Sequence, residues 1–106
     1  INAGSLIMGS NSYFYKTVTL ADTSGAVLNI GSTTLSVRGL VGGGSSGGNV
    51  TGNGRLNIVL TGSADSIDVT FSGALSGGGT LNKSGNGTQT IGSDEVDDGT
   101  ADFSSF

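Results

Sequence analysis

Short runs in which apolar residues alternate with polar ones are the feature that most restricts the fold of this chain. Each run is four or five residues long, and Gly or Ser follows within a few residues; the clearest are 17–20, 27–30, 34–37, 56–60 and 67–71. Alternation with a period of two places successive side chains on opposite faces of a β-strand. No segment carries the apolar repeat of an α-helix, and the helix-breaking residue Gly recurs throughout. The chain is therefore predicted to be all-β.

A longer repeat organises these runs. Gly39, Gly62 and Gly85 are evenly spaced along the chain. Apolar residues align at the same spacing in two columns: Leu35, Ile58 and Leu81 in the first, and Phe14, Val37 and Leu60, interrupted at Lys83, in the second. Internal periods of this length are typical of solenoids. The spacing predicts a parallel β-helix of about four to five coils, each contributing short strands joined by bends.

The composition agrees with that geometry. Gly, Ser, Thr and Asn make up 57 of the 106 residues, whereas charged residues reach 11% and Pro is absent. Successive coils lie about 4.8 Å apart, so that like charges on stacked positions repel while Ser, Thr and Asn can form hydrogen-bonded ladders. Pro would remove a ladder hydrogen bond from a strand with neighbours on both sides. A Gly-rich β-sandwich is the alternative that pattern alone leaves open.

Several other classes of protein are excluded. The chain has no Cys, so it is neither a disulfide scaffold nor a cysteine-based metal protein. Four Lys and Arg residues and a net charge of −4 argue against nucleic acid as a partner. No apolar run approaches the length of a membrane-spanning helix, so we expect no membrane insertion by this segment.

Two stretches resemble a known repeat. Residues 71–92 read FSGALSGGGTLNKSGNGTQTIG and residues 1–9 read INAGSLIMG. Both are similar to parts of the passenger-associated transport repeat of bacterial autotransporters. The matching positions are Leu81, Lys83, Gly85, Gly87 and Ile91 in the first stretch, and Ile1, Ala3, Gly4 and Leu6 in the second. The resemblance implies a right-handed parallel β-helix carried outside the cell or on the bacterial surface, which aids export and forms a rigid stalk without an active site.

The chain departs from this repeat at two places. Gln89 stands where the repeat usually has an inward Leu, which predicts a polar group inside one coil or a local irregularity. After Ile91 the usual continuation is replaced by an acidic run, Ser93 to Gly99. The conformation expected from the resemblance does not extend to that run.

The two ends of the sequence suggest stacking. Residues 99–106 followed by residues 1–6 resemble an uninterrupted repeat junction better than either end does alone. We therefore expect residues 1–106 to form a single β-helix unit of a longer head-to-tail stack, covalent or not, whose partners are copies of itself. Both end coils would then expose unpaired strand edges. The expected interface residues are Ile1, Leu6, Phe103 and Phe106.

The acidic run is the candidate metal site. Asp94, Asp97 and Asp98 beside Gly99 present the clustered carboxylates that suit calcium. Their spacing matches neither an EF-hand loop nor a nonapeptide calcium repeat, and a solvated acidic turn is the alternative. No other cofactor is expected.

Aromatic residues indicate a possible ligand contact. In the run Tyr13, Phe14 and Tyr15, alternation directs Phe14 inward and both tyrosines outward, where they are candidates for contact with a host or matrix polysaccharide or with another subunit. The segment Gly42–Gly48 is expected to protrude as a loop. With no His to serve as base for a Ser nucleophile, the chain is not expected to be an enzyme. Asp65 and Asp68 leave a polysaccharide-cleaving role as a weakly supported alternative.

These features predict a structural extracellular module that stacks into a surface stalk or filament. The alternative function is that of an adhesin or carbohydrate-binding passenger segment, which would use the outer positions near Tyr13 and Gly42–Gly48.

Overall fold

The chain folds as a β-solenoid of four coils. A computed structural model describes residues 1, 3–14, 16–60, 68–96 and 99–106. Each coil contains three short strands, which are, in chain order, β1 Ser5–Ile7, β2 Ser12–Tyr13 and β3 Val18–Leu20; β4 Val27–Asn29, β5 Thr34–Val37 and β6 Leu40–Gly42; β7 Asn49–Thr51, β8 Arg55–Leu60 and β9 Asp68–Phe71; and β10 Leu75–Ser76, β11 Thr80–Gly85 and β12 Thr88–Ile91. The predicted all-β solenoid is confirmed. Its right-handed sense stays a prediction.

Corresponding strands of successive coils pair in parallel and form three sheets. The first sheet has the order β1-β4-β7-β10, the second places β11-β8-β5-β2 side by side, and the third β12-β9-β6-β3. Ser5 lies opposite Val27, and Val27 lies opposite Asn49. The number of residues between paired positions is therefore the same for the first two pairs of strands in this sheet. Parallel pairing of this kind buries one face of each sheet inside the solenoid.

The predicted columns face inward, but their register differs from the expectation. Leu35 lies opposite Leu56, not Ile58, and Leu56 lies opposite Leu81. Ile58 instead lies opposite Val37. Between β2 and β5 the offset equals the expected period, since Ser12 lies opposite Leu35. The offset from β5 to β8 is shorter and that from β8 to β11 is longer, because loops of different length join the strands. Both of these offsets differ from the expected period by an even number of residues, which keeps the side chains on the core face.

Apolar side chains from all four coils fill the interior. Leu28, Leu35, Ile58 and Phe71 have no exposed surface. Gln89 is also fully buried, which confirms that the departure from the repeat at this position puts a polar group inside the solenoid.

Asn side chains link one coil to the next on the outside. The Asn11 Oδ1 atom accepts a hydrogen bond of 2.8 Å from the Thr34 N–H, and Asn49 Oδ1 accepts one of 3.0 Å from Ala74 N–H. Asn57 Nδ2 donates to Ser36 Oγ at 3.3 Å. The last of these contacts joins two polar side chains, as the composition predicts, whereas the first two join a side chain to the backbone.

The Gly42–Gly48 segment does not protrude, contrary to expectation. Gly47 and Gly48 are buried, and the Ser46 N–H donates to Asp22 Oδ1 at 2.8 Å. A Cβ atom added at Gly47 would overlap the Thr23 carbonyl group. Because Gly has no side chain, the backbones of two coils approach closely here and the segment packs against its neighbour.

The C-terminal segment reverses direction and closes one end of the solenoid. Gly92 and Ser93 form a tight turn between β12 and β13, Asp94–Val96, which pair antiparallel. Strand β14, Gly99–Asp102, pairs antiparallel with β11, and the 3-10 helix Phe103–Ser105 packs on β10. We call β13, β14 and this helix the cap, because together they cover all three strands of the fourth coil.

Candidate functional site

The first coil leaves one end of the apolar interior open. Leu6 continues the inward column above Leu28, yet 40% of its surface is exposed, whereas Leu28 is fully buried. The neighbouring inward residues Met8, Phe14 and Val18 are only partly buried against the core. In the described part of the chain no strand lies beyond β1, β2 or β3 in the three sheets. This open end combines exposed core residues with three strand edges.

Ile1 already occupies part of the β3 edge. Its ammonium group donates a hydrogen bond to the Thr19 carbonyl oxygen, and its own carbonyl accepts one of 2.8 Å from the Ala21 N–H. Bonding to the residues on either side of Leu20 is the pattern of a parallel ladder. Ile1 therefore lies where a strand of a further coil would run.

The opposite end is closed by the cap. Phe103 is 1% exposed and packs in the core, and its N–H donates to the Gly79 carbonyl oxygen at 2.9 Å. Phe106 is 36% exposed at the outer surface. Of the four residues expected at an interface, Ile1 and Leu6 therefore lie together at the open end, Phe106 lies on the cap, and Phe103 is enclosed. The expected unpaired edges are found on the first coil, except where Ile1 bonds to β3, whereas β11 and β12 of the fourth coil are paired with the cap.

The sequence contains a signal for this cap that our interpretation missed. Two short alternating runs flank Gly92-Ser93, and a Gly-containing pair between such runs is typical of a tight β-hairpin. Gly92 has a φ of +64°, which the turn requires. The departure from the repeat after Ile91 is thus the point at which the chain turns back.

The acidic residues of the cap lie at its outer surface. Asp94 and Glu95 on β13 and Asp102 on β14 are exposed. Asp97 and Asp98 lie outside the described residues. Among the described ranges, no three His, Cys, Asp or Glu side chains group as metal ligands. The calcium site at Asp94, Asp97 and Asp98 stays a prediction, which calorimetry with Ca²⁺ can test.

A polar cleft of about 330 Å³, open to solvent, lies beside β13 of the cap. Its lining consists of Lys83, Gly85, Asn86, Gly87, Thr88, Glu95 and Val96. Lys83 is 5% exposed, and its ammonium group donates to the Gly85 carbonyl oxygen at 2.9 Å. The interruption of the apolar column at Lys83 therefore coincides with the closed end of the core.

The aromatic cluster lies on the first coil. Tyr13 is 39% exposed, and Phe14 packs partly against the core, as the alternation predicts. Tyr15 lies outside the described residues. Contact of Tyr13 and Tyr15 with a polysaccharide stays a prediction.

Comparison with known proteins shows a similarity to an autotransporter adhesin. No family model matches the chain, and no solved structure matches it. The chain is 35% identical over 92 residues to the adhesin BmaC autotransporter of Brucella suis biovar 1 (strain 1330). The match covers 86% of this chain and 3% of that protein's length. The described residues include no helix with the length and apolar character needed to cross a membrane. The similarity and the β-solenoid fold together agree with an autotransporter-type β-helix.

Proposed function

We propose that this chain is a structural segment of an extracellular, adhesin-like passenger at a bacterial cell surface. The observation that carries the proposal is the parallel stacking of four coils in three sheets, in a chain similar over 86% of its length to an autotransporter adhesin. A stack of strands bonded on both sides is stiff along its axis, and its length grows with the number of coils. Such a segment suits a stalk that holds other parts of a passenger away from the membrane.

The proposed role is non-enzymatic. It rests on the similarity to an adhesin and on the solenoid, in which most side chains of the outer face are short and polar. A sparsely charged outer face avoids stacked like charges at a coil spacing of about 4.8 Å.

A segment exchange tests this proposal. The matching part of the Brucella adhesin would be replaced by this chain, and intact cells would be examined by antibody labelling and protease digestion. We expect the chimera to reach the surface with the inserted segment resistant to protease. Deletion of the segment and insertion of the Leu28→Asp variant, whose core is disrupted, are the controls. Retention of the chimera inside the cell, as for the Leu28→Asp insert, would contradict the proposal.

Direct adhesion is a second candidate function. The name of the similar protein and the 39% exposure of Tyr13 favour it. Binding of the purified chain to glycan arrays and to host cells, lost in Tyr13→Ala and retained in Thr19→Ala, would support it. Absence of binding would leave the structural role alone.

Stacking of separate copies into a head-to-tail filament has less support. Such stacking would place the first coil of one copy on the cap of the next, whose strands run antiparallel to β11 and β12 and carry Asp94, Glu95 and Asp102. Charged residues on an edge strand oppose pairing with another strand. We therefore propose that the chain acts as a stalk segment and not as a self-stacking unit of a filament.

A further inference from the structure

We propose that Asn53 and Asn86 are sites of spontaneous deamidation in the folded protein, and that the other Asn residues which the structure describes are not. The reaction turns a neutral carboxamide on the outer surface into a carboxylate, as Asp or as isoaspartate. Water is the only co-reactant. The inference goes beyond the proposed function and does not depend on it.

The first argument is the freedom of these two carboxamides. The structure describes seven Asn residues, and five of them hold the side-chain amide in a hydrogen bond: Asn11, Asn29, Asn49, Asn57 and Asn82. Within the described part of the chain, Asn53 and Asn86 make no side-chain hydrogen bond, and both are exposed. Their carboxamides can therefore rotate toward the backbone, whereas hydrogen bonds hold the other five in place.

The second argument is the residue that follows each of them. Asn53 precedes Gly54 and Asn86 precedes Gly87, and the sequence has no other Asn–Gly pair. Because Gly lacks a Cβ atom, its backbone nitrogen can approach the preceding carboxamide without steric hindrance. The fold requires Gly54, since an added Cβ would overlap the Thr33 carbonyl group. Neither Asn has a positive φ, so the left-handed turn conformation that Asn tolerates is not the reason for its presence.

The chemistry uses only groups of the chain and water. The backbone nitrogen of Gly gives up its proton to water and attacks the side-chain carbonyl carbon, Cγ, so that a C–N bond forms. The Nδ2 group then leaves as ammonia, and a cyclic succinimide remains. Water opens this ring at either carbonyl and yields Asp or isoaspartate, the latter with one more carbon atom in the main chain. Each event adds one negative charge to the net charge of −4.

The Gly nitrogens must first leave their hydrogen bonds to the preceding coil. Gly54 N–H donates to the Gly31 carbonyl oxygen at 2.8 Å, and Gly87 N–H donates to the Leu60 carbonyl oxygen at 3.1 Å. Both glycines lie in bends between strands. Local opening of such exposed bends costs less free energy than opening of the core strands. The stack should therefore slow the reaction at both sites without preventing it.

The surroundings of Asn86 can accommodate the charged product. Asn86 lines the polar cleft beside the cap together with Lys83 and Glu95, and this cleft is open to solvent. Water therefore has access to the succinimide carbonyls. A carboxylate at this position would share the cleft with the Lys83 ammonium group as well as with the Glu95 carboxylate, and a nearby opposite charge favours the ionised form.

The rate of conversion at each Asn tests the inference. The purified chain would be incubated at mildly alkaline pH, folded and in urea, and mass spectrometry of its peptides would separate Asn from Asp and isoaspartate. The ratio of the unfolded to the folded rate removes the effect of the residue that follows each Asn. We expect this ratio to be at least roughly tenfold larger at Asn11, whose Oδ1 atom is bonded to the Thr34 N–H, than at Asn53 or Asn86.

A matched variant places Gly after a carboxamide that is held. Ser12→Gly makes Asn11 precede Gly while the bond from Thr34 N–H to the Asn11 side chain is retained. In the folded variant Asn11 should convert at least roughly tenfold more slowly than Asn86, whereas in urea the three Asn–Gly pairs should convert at similar rates. If the variant does not fold, the ratios measured on the parent chain decide. Equal ratios at Asn11, Asn53 and Asn86 would overturn the inference, as would a folded protein in which Asn53 or Asn86 stays unconverted.

Discussion

The side-chain amide of Gln89 hydrogen-bonds both backbone polar groups of Leu40, two coils earlier in the chain. The Leu40 N–H donates to Gln89 Oε1 and Gln89 Nε2 donates to the Leu40 carbonyl oxygen, each at 2.9 Å. In the described residues β6 pairs with β9 only at Gly42 and Phe71. The amide of Gln89 therefore offers Leu40 the donor and acceptor that a neighbouring strand would otherwise supply. This is why a polar side chain can be fully buried in an apolar core.

Replacement of Gln89 by Leu should destabilise the protein, although Leu is the residue usual at this position of the repeat. The variant would leave the N–H and C=O of Leu40 buried without partners, at a cost of about 2–4 kcal/mol in the free energy of unfolding. Urea unfolding followed by circular dichroism measures this difference. A Leu variant as stable as the parent would show that another group satisfies Leu40.

Replacement of Gln89 by Glu should make stability depend on pH. A protonated carboxyl can both donate to and accept from Leu40, whereas a carboxylate can only accept. Burial raises the pKa of this carboxyl above its value of about 4.3 in the unfolded chain. The native state then holds its proton to higher pH, so stability is present below the unfolded pKa and is lost as pH rises toward the folded pKa. Unfolding at pH 4 and pH 7 should show a deficit relative to Gln89 mainly at pH 7.

Truncation of a Leu side chain in one inward column should lower the free energy of unfolding more in the second coil than in the first. Leu28→Ala removes a fully buried side chain and should cost about 2–5 kcal/mol. Leu6→Ala, at the open end of the same column, should cost less than half as much, because its side chain is already partly in water. Denaturant unfolding compares the two. Equal costs would indicate that another part of the molecule covers Leu6 in solution.

The turn that begins the cap should be sensitive to the loss of Gly. At Gly92 a Cβ atom would meet nothing within 4 Å, but φ is +64°, so Gly92→Ala should cost about 1 kcal/mol through backbone strain alone. Gly9 is the matched control, because its surroundings are equally open and its φ is not in the left-handed region. Thermal unfolding of both variants should show a lower midpoint only for Gly92→Ala. A similar loss in both would point to a cause other than the turn.

Neutral residues on the cap should promote association. The combined variant Asp94→Asn, Glu95→Gln and Asp102→Asn removes the exposed carboxylates of β13 and β14 and should change the free energy of unfolding by less than about 0.5 kcal/mol per site. The outer edges of these strands would no longer repel other strands. Sedimentation velocity should show a higher average mass than for the parent at the same concentration. Asp68→Asn, an exposed acid elsewhere, should leave the mass unchanged.

The sequence by itself determined which side chains face inward and that the strands stack as a solenoid. Alternation is a local property, and it placed Leu35, Ile58 and Leu81 on the core face even though the first two do not lie opposite each other. The resemblance to the repeat, and not alternation, predicted that Gln89 lies inside.

Only the tertiary structure decided the register, the packing of Gly42–Gly48 and the direction of the chain after Ile91. These depend on contacts between residues that are far apart in the chain: Leu35 opposite Leu56, Gly47 against Thr23, and Gln89 with Leu40. At Gly92 a single turn decides whether the chain adds a fifth coil or reverses over the fourth. The alternation that forms a strand is the same for either direction, because it determines the face of each side chain and not the strand beside it.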